Sequence, residues 1–274
     1  MNLVWGFLIT AGATAVAVTV MLLVRRRAPE GSWFQDGDRA SGVFGVLATG
    51  FSVLLGFIIF LAFTSYDQSR SGAETEALVV AQQVETAQFF PAADRGELTG
   101  LLICYGRSVV HEEWDRMEAG TQGDAINPWG VALFERLDGI EPQANSEQSA
   151  YDKWLDQTST REEARLDRIH GAVGVIPSPL WVVLFFIGGV IFVYMLFFAD
   201  SGEGPVTQAM LMGAVTSVIV VMLLLLNFLD KPFHSDVGGV RPVAMERTLS
   251  IIDQALAATG TKPPIPCDAE GRAA

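Results

Sequence analysis

The sequence predicts an all-α membrane protein: four transmembrane helices, with a helical-bundle insert between the second and the third. Three observations predict it. Half of the 274 residues are apolar, yet the formal net charge is −13, so very apolar segments lie beside a separate acidic region. Four runs, roughly Leu3–Val24, Gly42–Thr64, Leu180–Ala199 and Thr207–Leu229, contain no Asp, Glu, Lys or Arg. Each is about the 20 residues that a helix needs to cross the hydrocarbon core. The hydrophilic remainder shows helical periodicity, with neither strand alternation nor an Asn-Gly hairpin.

Residues 1–64 read as a first transmembrane hairpin. The opening run has no basic stretch before it, its cluster Arg25-Arg26-Arg27 follows it, and no small-residue cleavage pattern succeeds it. It is therefore expected to be a retained anchor and not a signal peptide. The second run passes from "GFSVLLGFIIFLAF" into Tyr66, Asp67 and Arg70 with no proline. One long helix is expected to leave the bilayer and continue to Phe90, where Pro91 stops it.

Residues 65–177 form the acidic insert. Ser65–Pro177 holds 20 acidic and 9 basic residues, so it carries −11 and the rest of the chain only −2. Such a domain suits neither nucleic acid nor anionic headgroups, and its acids read as a solvated surface. Its first helix has apolar positions at Ala73, Ala77, Leu78, Ala81 and Val84. A second opens on a capping-box pattern, Asp94 with Glu97, and carries Leu98, Leu102, Tyr105, Val109 and Trp114 on one face before Gly120. Within it, Glu112 and Glu113 beside Trp114 read as two solvated acids and one buried aromatic, or as a partner patch. A third helix takes Asn127 as N-cap and Pro128 as first residue, and is expected to bury Val131, Phe134 and Leu137. A fourth runs from about Asn145 to Ala172, with Tyr151, Trp154, Leu155, Leu166 and Ile169 as its apolar positions. Together they read as a bundle.

Residues 178–229 form a second transmembrane hairpin joined by the short "DSGEGPV", and residues 230–274 a hydrophilic tail. Trp181, just after Pro179, reads as an interfacial anchor. So does Phe233, with Lys231 snorkelling and Pro232 ending the helix. Four crossings put the insert and the tail on one side of the cell membrane. The Arg25–Arg27 loop is short and therefore favours its own placement inside, leaving insert and tail extracytoplasmic. Arg70, Arg161, Arg165, Arg168 and Lys231 flank the other side and oppose this. Outside, Cys104 and Cys267 could pair as one disulfide; the alternative is two unrelated thiols. No metal-ligand spacing appears: "HEEWD" is not HExxH, and His170 and His234 stand alone. No cofactor is implied.

The second run has two stripes at four-residue spacing. Ala48, Ser52 and Gly56 are small and suit close helix packing. Thr49, Val53, Phe57 and Leu61 lie beside them, facing either lipid or a narrow apolar pore built by several subunits, where dewetting can gate.

Several runs resemble one known family: "LLGFIIFLAFTSYDQSRSGAETEA", "YGRSVVHEEWDRMEAG", "REEARLDRIHGAVGVIPSPLW" and "LDKPFHSDVGGVRP". Together they look like the bestrophin-like membrane family, a domain of unknown function, over about Gly42 to Pro242. The motif residues are Tyr66, Asp67, Arg70, Glu113, Trp114, Arg165, Pro177, Trp181, Pro232 and Phe233. The family is distantly similar to bestrophins, pentameric anion channels whose second membrane helix begins with an apolar neck and continues into the soluble domain. That resemblance implies a homo-oligomer in the lipid bilayer, an anion such as chloride as permeant, and Val53 and Phe57 at the neck. Thr49, one turn earlier, departs from the apolar type expected there. No clear equivalent of the bestrophin calcium clasp is present, so calcium gating is not implied. Bestrophins keep the soluble domain in the cytoplasm, in conflict with the arginine bias.

Three functions compete. The first is an oligomeric anion channel, the second a membrane-anchored sensor or scaffold whose helical domain binds a partner. An enzyme is the weakest reading, since no nucleophile–base pair, phosphate loop or metal cluster appears. The charge-free spans also argue against a proton-coupled transporter.

Overall fold

The computed structural model describes residues 3–121 and 126–273. Among them there is no strand, only an isolated bridge between Cys267 and Ala273. The helices are α1 (Leu3–Arg25), α2 (Gly37–Ala87), α3 (Ala92–Ser108), α4 (Trp114–Glu118), α5 (Pro128–Asp138), α6 (Asn145–His170), α7 (Ser178–Phe197), α8 (Pro205–Asp230) and α9 (Val243–Thr259). A π-helical turn, Val109–Glu113, joins α3 to α4, and a 3-10 turn, Gly171–Val173, follows α6. The fold is all-α, and α1, α2, α7 and α8 are each long and apolar enough to cross a membrane.

The chain divides into two compact units, Met1–Thr64 with Val175–Asp230, and Ser65–Gly174 with Lys231–Ala274. α2 belongs to both, one unbroken helix of 51 residues. In the first unit, Ala17 and Met21 of α1 pack with Ala28, Ala199 and Met212 of α8 into a small core. Arg25 closes one end of it, donating to the carbonyl oxygens of Ser201 (3.0 Å) and Glu203. Asp200 accepts from the Gly31 and Gly202 amides. At the other end Asp230, the last residue of α8, accepts from the Val175 and Ile176 amides at 2.8 and 2.9 Å. α8 stops there because Pro232 has no N–H to donate to a further turn.

In the second unit a core of Leu98, Leu102, Tyr105, Val109 and Trp114 sits among Ala77, Leu133, Trp154 and Met245. Gly72 is what lets α2 and α6 meet. A Cβ there would lie 2.7 Å from both the Ala164 carbonyl oxygen and the Arg168 nitrogen. The tail is part of this unit. α9 covers α3 at Gly106, where Leu249 and Met245 fill the missing side chain's space. The following segment crosses α3 at Gly100, where a Cβ would collide with the Pro264 carbonyl at 1.9 Å. Trp129 donates through Nε1 to the Gly271 carbonyl at 2.7 Å. Cys104 and Cys267 are joined by a disulfide, with Cα atoms 5.8 Å apart.

Several local expectations are corrected. No side-chain cap opens α3, which begins after Pro91; Asp94 and Glu97 instead hold Arg136 of α5. α5 does start on Asn127, whose side chain accepts from the Trp129 amide at 3.0 Å. Yet it buries Trp129, Leu133 and Leu137 and leaves Val131 and Phe134 exposed, because strict four-residue spacing sets its packed edge. α6 leaves Leu155 and Leu166 exposed for a related reason given below. Phe233 is no interfacial anchor: it is 4% exposed and meets the Trp114 ring edge-on, centroids 5.5 Å apart. The carbonyl of Pro232 accepts from the Val240 amide at 2.9 Å, folding 232–240 into a tight return that carries Phe233 inward. Trp181 is half-buried and stacks on Phe185.

Candidate functional site

Two features of α2 carry the chemistry. The first is its apolar half. Phe51, Leu55, Ile58 and Ala62 are buried against the first unit. The stripe of Val53, Phe57 and Leu61 stays exposed, at 54, 66 and 59%, with Thr49 exposed beside it. The small-residue stripe does not pack within the chain as close helix contact requires. Ser52 and Gly56 are exposed, nothing lies within 4 Å of a Cβ built on Gly56, and the Ser52 hydroxyl donates back to the Ala48 carbonyl. Phe51, in the same part of the helix, is the larger side chain and takes the buried edge. Ala48 and Ser52 instead line an open groove of about 330 Å³ with Phe44, Ile191, Ala214 and Val218.

The second feature is a buried ion network further along the same helix. Glu76 of α2 and Arg168 of α6 are both fully buried, and Arg168 grips both carboxylate oxygens, Nη2 to Oε1 at 3.0 Å. Arg168 also reaches Glu113. Glu113 takes two further bonds from Arg165, at 3.2 and 3.0 Å, and one from the Asn127 amide at 3.0 Å. Tyr105 donates its hydroxyl to Glu76 at 2.6 Å. Arg161 lies 4.7 Å from the Tyr105 ring centroid and donates to Gln83 at 2.9 Å. Glu76 and Glu113 balance Arg168 and Arg165 at the centre, and the third arginine, Arg161, pairs with Glu162 at 3.0 Å, so each buried charge has an opposite partner, which is the condition for burying ions at tolerable cost.

Glu113 thus corrects the expectation of a solvated acid: it is 8% exposed. The π-helical turn explains how. The Trp114 amide donates five residues back to Val109, and the wider turn lets the adjacent Glu113 and Trp114 both point inward. Burial would raise the Glu113 pKa, but Arg168 and Arg165 outweigh it and hold the carboxyl below its ordinary range. Burial, reinforced by Glu76, pushes the Tyr105 hydroxyl well above its usual value, so it remains a proton donor. The same pair of acids raises Arg168 and keeps it charged despite burial.

Of the motif residues, Glu113, Trp114, Arg165 and Phe233 converge around this network. Tyr66 donates to the Gly238 carbonyl at 2.6 Å and pins the 232–240 return onto α2. Arg70 is exposed and pairs with Glu74 at 3.1 Å, and Asp67 is exposed. Pro177 and Trp181 belong to the other unit, at the start of α7. Glu76, Arg161 and Arg168 were missed from sequence. The signal for the two arginines was present: Ala150, Trp154, Gln157, Arg161, Ala164 and Arg168 alternate spacings of four and three, an inward seam that is legible once arginine is admitted to it. Choosing only apolar residues selected Leu155 and Leu166, which lie off the seam.

No curated protein matches the chain. Among solved structures, a bacterial Bestrophin homolog from Klebsiella pneumoniae matches with a TM-score of 0.66 at 13% identity, over 96% of this chain and 100% of that one. A variant of that homolog gives 0.67 at 12% identity, over 94% and 99%. At such identity the likeness speaks for the fold. The family model described as Bestrophin-like domain matches residues 9–245. With that match covering most of its length, the chain belongs to the Bestrophin-like domain family.

Proposed function

We propose that the chain is one protomer of a closed oligomeric channel for anions, chloride among them, whose neck is the α2 face Thr49, Val53, Phe57 and Leu61. The observation that carries this is the exposure of that face, on a helix whose opposite edge is packed. A ring of copies turns such a face toward the symmetry axis, where apolar side chains expel water and block hydrated ions. The open groove at Ala48 and Ser52 offers a neighbouring protomer's helix a small-residue seat. Anion preference rests on the family's similarity to bestrophins.

The test is flux. Shortening the neck in V53A/F57A is expected to raise chloride flux from proteoliposomes at least several-fold over wild type, while S52A leaves it unchanged. Native mass in detergent should give a closed oligomer. Folded wild type and folded double variant that both fail to conduct would end the channel reading. That outcome leaves a sensor or scaffold, which is favoured by one observation: Ile126, Val131 and Phe134 stand exposed together beside Arg165 on the second unit. Equal flux of cations would keep the pore and remove the anion label.

A further inference from the structure

The second unit holds a cleft of about 730 Å³ between α2, the residues 238–241 and α9. Ligand sites commonly fall in the range of roughly 300–1,000 Å³. Three arginines line it, Arg70, Arg241 and Arg247, and Glu74 is the single acid among its lining residues. Arg70 comes from the insert, which carries −11, while Arg241 and Arg247 are brought to it by the tail. Arg70 engages Glu74 through Nε alone. Arg241 and Arg247 make no ion pair among the described residues. The walls are fixed. Tyr66 holds Gly238, and the Thr248 hydroxyl donates to the Ala77 carbonyl at 3.1 Å, clasping α9 to α2. Ala73, Ala77 and Val240 give the cleft an apolar floor.

We propose that this cleft binds an anionic phosphate group, held by Arg70, Arg241 and Arg247. Guanidinium forks match phosphate oxygens two at a time, and three of them around one hollow outweigh the single carboxylate. Arg70 follows Thr64 by six residues on one continuous helix, about 9 Å of rise beyond the apolar run. That lies just past the polar layer, which adds roughly 5–8 Å to each side of the hydrocarbon core, and a long arginine side chain spans the difference. An anionic lipid headgroup and a soluble phosphate ester present the same chemistry, and the experiment separates them. The proposal does not depend on ion conduction.

The full-length protein is purified in detergent with phosphatidylcholine, and its thermal midpoint is followed as phosphatidylglycerol or soluble glycerol phosphate is added. Wild type is expected to gain about 5 °C at saturation with phosphatidylglycerol, because a ligand bound only by the folded state raises Tm. R241Q/R247Q should lose that gain. K153Q/K262Q, which removes the same charge from exposed sites elsewhere on the unit, should keep it. A gain with glycerol phosphate as well assigns the site to phosphate esters generally; a gain with phosphatidylglycerol alone assigns it to lipid. Equal gains in wild type and R241Q/R247Q overturn the proposal. So does a native mass showing that R241Q/R247Q breaks the assembly in neutral lipid, which would make the cleft a contact between copies. If R241Q/R247Q is itself unstable in phosphatidylcholine, the singles R241Q and R247Q carry the comparison. Each should lose about half of the gain, and no loss in either overturns the site.

Discussion

At the scale of single residues, Glu113 decides most. It accepts from two arginines and an asparagine where water cannot replace them. Glu113→Gln leaves Arg165 and Arg168 facing a neutral amide and is expected to cost about 3 kcal/mol, the low end for breaking a buried ion pair. Chemical denaturation of the detergent-solubilised protein measures this. The pH dependence has a definite sign. The folded carboxyl titrates below its ordinary 4.5, so its contribution is complete above the unfolded pKa and is lost as pH falls through the folded one. The acid limb of stability against pH should therefore be steeper in wild type than in E113Q; parallel limbs would show that the group is not the one titrating. Nothing in the run "HEEWD" distinguishes Glu113 from the half-buried Glu112 or the exposed Asp115. The distinction arises from a π-helical turn, and such turns have no compositional signature, so the family resemblance singled out the residue but its burial was illegible from sequence.

At the scale of elements, α2 was legible because its signals agree: a charge-free run, no proline before Pro91, and helical spacing past the membrane. What sequence did not reveal is the purpose of Gly72, which by propensity alone only weakens the helix. It is the contact point of α2 with α6, backbone against backbone. Gly72→Val would improve the helix locally yet separate the two helices and stretch the Glu76–Arg168 pair. A destabilisation of about 3 kcal/mol, the upper end for overpacking, is expected because backbone atoms are what the new side chain meets, whereas Gly42→Ala, on the same helix with open space around it, should be near neutral. Similar midpoints for the two variants would contradict the close approach. The apolar edges of α5 and α6 were half legible. Helical period was evident, but the choice between neighbouring edges depends on which partner helix arrives, and that is tertiary information.

At the scale of the molecule, the fold class and the four candidate spans followed from charge-free length, the most robust signal in the chain. Sidedness remains a proposal, and two features support the extracytoplasmic placement of insert and tail. The short loop carries Arg25, Arg26 and Arg27. The disulfide between Cys104 and Cys267 requires an oxidising compartment to persist. A phosphatase reporter fused to the C-terminus, active only after export, is expected to be active, and a cytoplasmic fluorescent reporter at the same point to be dark. The reverse pattern would place the second unit inside and leave the two cysteines reduced in the cell.

The second unit is written in two instalments, with two membrane crossings between them. α3 is synthesised long before the segments that cover it at Gly100 and Gly106 exist. Its completion therefore waits on translation, and on the insertion of both α7 and α8. Should only one of them cross, Cys267 would emerge on the far side of the bilayer from Cys104, and the face of α3 would stay bare. A chain inserted with the wrong number of crossings thus announces itself by an unclosed, apolar surface open to proteases. Closure of the second unit is possible only when both helices between its two segments have crossed.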